Sequence, residues 1–292
     1  MAKPQTAAAG SEWQRWVGSR ESVEDIVSIA SLTRMSATFD HEDPGWQAGD
    51  PVPPLWHFMY FPPVARGSAL GPDGHPARGG FLPPIPLPRR MFAGARTTYH
   101  RPLEAGETIR REGAIARIGE KSGKSGTLVF VLIRYQIFGG DASGGGELAV
   151  EEEHDIVYRD VAAPAKTSQV AQPSVPRPDW RRTITPDPVT LFRYSALTFN
   201  GHRIHYDRSY ATGVEGYPGL ILHGPLIGAY LIDLCRDNTD GRPIRAHAFR
   251  ARRPLFDTEP FEVVGALTDG GAVLEARDPD GAPAMTLEVE FA

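Results

Sequence analysis

The chain contains a single cysteine, Cys235, in 292 residues. That excludes an internal disulfide framework and every cysteine-based metal motif. An excess of charge of one sign is also missing: a formal net charge of −5 gives no bulk attraction to nucleic acid or to an anionic membrane surface. No apolar run approaches bilayer-spanning length, and the first ten residues lack the apolar stretch of a secretory leader. The expectation is a soluble cytoplasmic protein that engages neither nucleic acid nor membrane. Two chemical signatures are absent as well. No Gly-x-Ser-x-Gly elbow presents a nucleophilic serine, and the glycine-rich segment 119–126 joins two strand-like runs without Walker spacing, so it reads as a hairpin loop.

Glycine (31) and proline (27) are plentiful and not periodic, against usual usages of roughly 7% and 5%. They alternate with ordinary apolar runs, which implies long shaped loops rather than disorder. The length suits two domains of ordinary size. Near the start, Trp13 and Trp16 mark an amphipathic turn. Ser22-Val23-Glu24-Asp25 then resembles a helix N-cap with an acidic first turn, which predicts a helix over about 23–36 that buries Ile26, Ile29, Ala30 and Met35. Residues 40–88 are proline-broken, with only 55–61 continuous enough for an element. Runs at 92–100, 108–118, 126–138 and 147–159, separated by turn chemistry, read as an antiparallel meander. Residues 161–178 read as a linker.

The second half repeats the first. Arg101, Pro102, Leu103, Glu107, Ile109 and Gly113 are answered without a gap by Arg253, Pro254, Leu255, Glu259, Phe261 and Gly265. Upstream, Leu32-Thr33-Arg34-Met35-Ser36-Ala37 answers Leu191-Phe192-Arg193-Tyr194-Ser195-Ala196, and treating Leu197 as one inserted residue sets Asp40 against Asn200. Between these, Leu55-Trp56-His57-Phe58 falls near Ile221-Leu222-His223-Gly224. Each half is then one unit: a helical lead-in, a polar overhang, a helix and a strand meander. The units are 1–160 and 179–292, joined by the linker. In this alignment Gly45 stands where the second half has His205, and Phe58 where it has Gly224. The first half is scaffold and ligand-binding wall, and the second carries the chemistry.

That chemistry gathers in Asn200, His202, His205 and Asp207, followed by His223-Gly224-Pro225. Pro225 suits the first turn of a helix, and Leu226, Ile227, Tyr230, Leu231 and Leu234 recur at helical spacing. The start of such a helix offers unpaired N–H groups and partial positive charge, beside a glycine that admits a carbonyl. His202-x-x-His205 with Asp207 is a weak metal pattern, since no helix evidently carries it and no glutamate motif comes after it. Ser195 lies inside a helical pattern and reads as packing or capping. Acid–base chemistry without a covalent intermediate fits best: an imidazole titrating near neutrality, an amide or carboxylate to orient water, and N–H groups for an enolate-like oxygen. His202 reads first as a loop-holding residue, Asp207 as the N-cap of the next turn and His223 as orienting its loop. Arg203, Arg250, Arg252 and Arg253 are either solvated or face the phosphates of a nucleotide-bearing group.

The run from Phe192 to Asp207, with Glu215-Gly216-Tyr217-Pro218-Gly219-Leu220 and His223-Gly224, resembles the MaoC-like hydratases and dehydratases. Their hallmark is a loop Asp-x-Asn-Pro-x-His before a helix that begins His-Gly. The resemblance implies an α+β double hot-dog fold, two tandem units with antiparallel sheet wrapped on a central helix. It also implies a hydro-lyase that adds water across the α,β double bond of an acyl-coenzyme A thioester. His205 takes the place of the catalytic histidine, and Gly224 that of the N–H donor to the thioester carbonyl. Asn200 departs from the family, standing where the group has its aspartate, and His202 stands where it has asparagine. An amide is no base, so either His205 performs both proton transfers while Asn200 holds water, or another carboxylate takes over. The candidate catalytic set is Asn200, His205 and Gly224, and the candidate substrate-binding set is His202, Arg203, His223 and Pro225. No metal or redox cofactor is expected, coenzyme A being part of the substrate, and a homodimer is an expectation. A hot-dog thioesterase and a non-catalytic acyl-coenzyme A or acyl-carrier binding protein stay open as alternatives.

Overall fold

Ser28, not Ser22, starts the first helix. In the computed structural model, which describes residues 12–42, 44–123, 126–140, 146–160, 173, 175 and 177–292, the segment around Ser22 is strand β1 (Arg20–Ile26). It alternates exposed and half-buried residues and pairs antiparallel with β3 (Thr108–Gly123), setting Glu24 against Arg110 and Glu21 within 3.4 Å of Arg111. Period-two burial and opposite charges across the pair outweigh the acidic N-cap pattern. Helix α1 (Ile29–Thr38) comes next, with the Ser28 hydroxyl accepting from the Ser31 N–H. Leu32 and Met35 are buried, whereas Ile26 and Ala30 face solvent, contrary to the expectation of one longer helix.

The expected meander is present as β2 (Arg89–Tyr99), β3, β4 (Gly126–Gly139) and β5 (Glu147–Arg159). The second half supplies β6 (Trp180–Ile184), β7 (Ile244–Ala251), β8 (Phe261–Thr268), β9 (Gly271–Arg277) and β10 (Pro283–Phe291). All join one sheet in the order β1-β3-β4-β5-β2-β7-β10-β9-β8-β6, with antiparallel pairing throughout. The halves meet where β2 pairs with β7. Helix α2 (Pro188–Leu197) packs on α1, α3 (Arg208–Gly213) is short, and α4 (Gly224–Asp237) is wrapped by β6, β8, β9 and β10. Leu231, Ile232, Leu234 and Cys235 bury this central helix, each aliphatic side chain contributing about 1.5–3 kcal/mol. Cys235 is thus a core residue. Most of the expected linker lies outside the described residues; Val175 within it is buried, its carbonyl accepting from Arg277.

The structure realigns the internal repeat. The Val52 N–H donates to Leu103 O at 2.8 Å and the Leu222 N–H to Leu255 O at 3.0 Å, beside the matching bridges Pro51–Glu104 and Ile221–Phe256. At the overhang, the His41 N–H donates to Ser36 O and the Asn200 N–H to Ser195 O, each after a left-handed residue, Asp40 (φ 60°) and Phe199 (φ 50°). Asn200 therefore corresponds to His41 with no inserted residue, His205 to Trp46, and Gly224 to Pro54, correcting the assignments to Asp40, Gly45 and Phe58. The first half also lacks the expected helix. Pro53-Pro54 removes two N–H groups and Leu55 is left-handed (φ 69°), so only a 3-10 turn, Trp56–Met59, forms. Trp46, Trp56 and Phe39 pack in its place.

At the seam, Glu152 is buried and accepts from Thr97 Oγ1 (3.0 Å), with His57 Nε2 at 2.9 Å and His154 Nε2 at 3.3 Å. Burial alone would raise its carboxyl, but the facing imidazoles and their hydrogen bonds hold it well below the usual range. Replacing Glu152 by Leu strands both imidazoles, so denaturant unfolding should show a loss of about 3–5 kcal/mol. A change below ~1 kcal/mol would contradict a structural role for this network.

Candidate active site

The loop that leaves the C-terminal end of α2 carries the site. Asp187 caps that helix through Val189 and Thr190, and Pro188 occupies its first turn. The chain leaves through the left-handed Phe199. Because Asp40 has the same conformation in the first half, this kink belongs to the repeated fold and not to the chemistry. The Asn200 side-chain oxygen accepts from the His202 N–H at 3.0 Å, tightening the loop into the 3-10 turn Arg203–His205. Asp207 then caps α3 by accepting from the Tyr210 N–H, as its place in the sequence predicts.

This turn aims His205 at the start of α4. Its Nδ1 lies 2.7 Å from Ile221 O. A carbonyl only accepts, so Nδ1 carries the hydrogen and Nε2 keeps its lone pair. The Ile221 N–H returns a bond to Ile204 O at 3.0 Å, so one residue clamps both sides of the turn. Burial pushes the His205 imidazole down to about 4. The ring of His223 stacks on it at 3.7 Å, and that of His202 meets it edge-on at 5.4 Å. Burial, with His75 and His205 beside it, takes His202 down to about 2. His223 Nε2 lies 2.8 Å from Ser195 Oγ, so Ser195 is occupied in orienting His223, whose backbone is the N-cap of α4.

Among the described residues no side chain caps α4, and its first turn holds Gly224 and Pro225. A Cβ placed on Gly224 would meet Phe92 and Met285 at 3.8 and 3.9 Å, ordinary contact distances. Packing therefore does not demand glycine there, which leaves close approach of a ligand as its physical reason. The arrangement is a neutral imidazole base beside uncapped N–H groups and the positive end of a helix dipole.

Asn200, His202, His205, His223, Gly224 and Pro225 thus come together. Arg203 does not join them as a free charge: it binds Asp207 at 2.7 and 3.0 Å, donates to Pro72 O, and lies over the Tyr210 ring at 4.3 Å. Arg253 is paired with Asp278 at 2.8 Å. Reasoning from sequence missed Asp73 and His75. The His75 ring sits 4.1 Å from that of His202, and its Nδ1 is 3.2 Å from Asp73 Oδ2. A polar Asp-Gly-His island inside the proline-rich stretch was its one signal. Asp73, His75 and His202 each offer a ligand atom within 4.8 Å of the others, the chemistry of a divalent-cation site. The positive charges of Arg78 and Arg90 act on His75 and oppose a cation there.

Among solved structures, a MaoC-like dehydratase from Phytophthora capsici superposes with a TM-score of 0.69 at 16% identity, over 94% of this chain and 96% of that one. HtdX of Mycobacterium tuberculosis gives 0.63 at 18% identity, over 94% and 100%. The fold is the double hot-dog of MaoC-like dehydratases. The model of the family hydroxyacyl-thioester dehydratase type 2 matches residues 55–257, and the chain belongs to that family. The mesaconyl-C(4)-CoA hydratase of Chloroflexus aurantiacus is 48% identical over 283 residues, 97% of this chain and 99% of that protein. The mitochondrial hydroxyacyl-thioester dehydratase type 2 of Schizosaccharomyces pombe is 28% identical over 234 residues, 72% and 76% of the two chains. The protein is an enzyme, a hydro-lyase. Among the described residues no helix is long and apolar enough to cross a membrane.

The geometry sets two measurable outcomes. Gly224→Ala should fold with an unchanged melting temperature yet lose kcat/KM roughly tenfold or more, because the methyl occupies the approach to the N–H; full activity would show that nothing binds there. The pH dependence has a definite sign. Buried His202 and His205 bind protons less readily than unfolded imidazoles, which titrate near about 6.5. Their contribution to stability is complete above that pH and is lost as the pH falls toward about 4 for His205 and about 2 for His202, so Tm should decline on acidification from neutrality. The acid limb of kcat/KM should also lie well below 6.5, and a limb centred near 6.5 would place the base in water.

Proposed function

We propose that this hydro-lyase hydrates mesaconyl-C4-coenzyme A, or a related short enoyl-coenzyme A, at the second half's site. The supporting observation is the buried His205, with Nδ1 held by Ile221 O and its Nε2 lone pair left to accept, beside the start of α4 at Gly224, which no side chain caps among the described residues. The relative of 48% identity carries the mesaconyl substrate in its name, which favours a branched acyl group with a free carboxylate.

In this reading the thioester oxygen accepts from the Gly224 N–H. His205 Nε2 takes a proton from water as the oxygen bonds to the β-carbon, and the π electrons move toward the thioester oxygen as an enolate. The proton then passes from His205 to the α-carbon, restoring the carbonyl and the neutral imidazole. Asn200, whose amide cannot exchange a proton at these pH values, holds the loop, while Pro225, His202 and His223 shape the pocket. Every atom is supplied by water and thioester, so the step calls on no metal or redox cofactor. A thioesterase of this fold would want a carboxylate where Asn200 stands. We place the enzyme in the cytoplasm, acting on soluble acyl-coenzyme A, and pair two chains as a homodimer.

The test monitors hydration of mesaconyl-C4-coenzyme A beside crotonyl-coenzyme A. The expected result is loss of the enoyl absorbance without free thiol, a preference for mesaconyl, and a kcat lower by roughly a hundredfold or more in His205→Ala. Released thiol would mean a thioesterase. Tight binding without turnover would mean a binding protein.

A further inference from the structure

The loop that carries Asp73 and His75 is built onto the catalytic loop and does not merely lie near it. The Arg203 N–H donates to Asp73 O at 2.9 Å and the Arg203 guanidinium to Pro72 O at 3.0 Å. Backbone meets backbone at Gly74 (φ 87°) and Gly201: a Cβ on Gly74 would overlap the Gly201 carbonyl, and one on Gly201 would come within 2.8 Å of Gly74 O. Only a glycine pair permits this approach. Within the loop Asp73 grips His75 twice, accepting from its N–H at 3.1 Å and from its ring at 3.2 Å. Burial alone would raise the Asp73 carboxyl, but these bonds and the neighbouring imidazoles hold it well below the usual range, so it is a carboxylate that fixes the ring.

The result is a row of four imidazoles, His75, His202, His205 and His223, with successive ring centroids 4.1, 5.4 and 3.7 Å apart. Three of them come from the second half and one from the first. The row also meets a chemical need. Water attacking a β-carbon has two hydrogens, one taken by His205, and the other needs an acceptor to hold the oxygen lone pair in line. The Asn200 oxygen already accepts from the loop's own backbone.

We propose that His75, its Nδ1–H pinned by Asp73, is a further catalytic residue whose Nε2 accepts the second hydrogen of the attacking water, filling the acceptor role that Asn200 leaves open, with Asp73 as its positioning residue. The first half is then a contributor to the active site, not only a wall. This rests on the hydration reading above. No proton leaves water toward His75: the O–H bond that breaks is the one facing His205, and the other stays with the product hydroxyl.

The experiment compares the wild type with His75→Leu, His75→Gln and Asp73→Asn on the thioester that the wild type hydrates, with thermal melting of each. The expected result is a fall in kcat of roughly tenfold to a hundredfold in His75→Leu with KM within about threefold. His75→Gln, whose amide oxygen accepts a hydrogen bond, should recover a large part of it. Asp73→Asn, which no longer dictates the tautomer, should fall with His75→Leu. Should His75→Leu not fold, the contrast between His75→Gln and Asp73→Asn tests the same claim. Wild-type kcat in folded His75→Leu, equal losses in all variants, or a stoichiometric metal whose chelation abolishes activity would each overturn the proposal while leaving the hydratase standing. A wild type inert on every enoyl thioester would remove both.

Discussion

The proposed active site depends on the backbone of one residue, Ile221. Its carbonyl accepts from His205 Nδ1 and its N–H donates to Ile204 O, while the bridge to Phe256 ties it to the connection between β7 and β8. That geometry has three consequences. The tautomer of His205 is fixed with Nε2 available, the turn Arg203–His205 is held against the start of α4, and the imidazole is buried deeply enough to stay neutral across the physiological range. Without this clamp His205 would be one more loop histidine.

The same fold made twice shows what that site requires. At matching positions the first half has Trp46 for His205 and Pro54 for Gly224. Proline has no N–H to donate, and the left-handed Leu55 after it prevents a helix from forming, so the first half cannot offer the N–H donor proposed at Gly224. The space is filled by Trp46, Trp56 and Phe39, and His41 turns toward Asp233 on the second half's central helix at 3.2 Å. That hydrogen-bonded partner raises the His41 imidazole, the opposite of what burial does to the second half's histidines. At the matching place the first half has packing and an interface contact.

Local signals carried much of this to the surface of the sequence. The helix start at His223-Gly224-Pro225, the cap at Asp207 and the bounds of β5 are each set by neighbouring residues, so they could be read directly. The failures were of another kind. Ser22 and Ser28 both precede a plausible first turn, and only pairing with Arg110 and Arg111 across the sheet decides that the first belongs to a strand. Residue matching set Phe58 against Gly224, whereas backbone hydrogen bonds set Pro54 there, because the bridge at Val52 and Leu103 conserves geometry without conserving side chains. Asp73 and His75 lie far along the chain from His202 and in the other half. No local pattern brings them together; glycine contact between two loops does.

The most direct measurement is a crystal structure of the enzyme with a saturated acyl-coenzyme A, which fits the site but cannot be hydrated. The expected result places the thioester oxygen about 3 Å from the Gly224 nitrogen and the β-carbon on the side of His205 Nε2. An acyl group seated instead among Trp46, Trp56 and Phe39, or a thioester oxygen turned away from the start of α4, would contradict the assignment of catalysis to the second half.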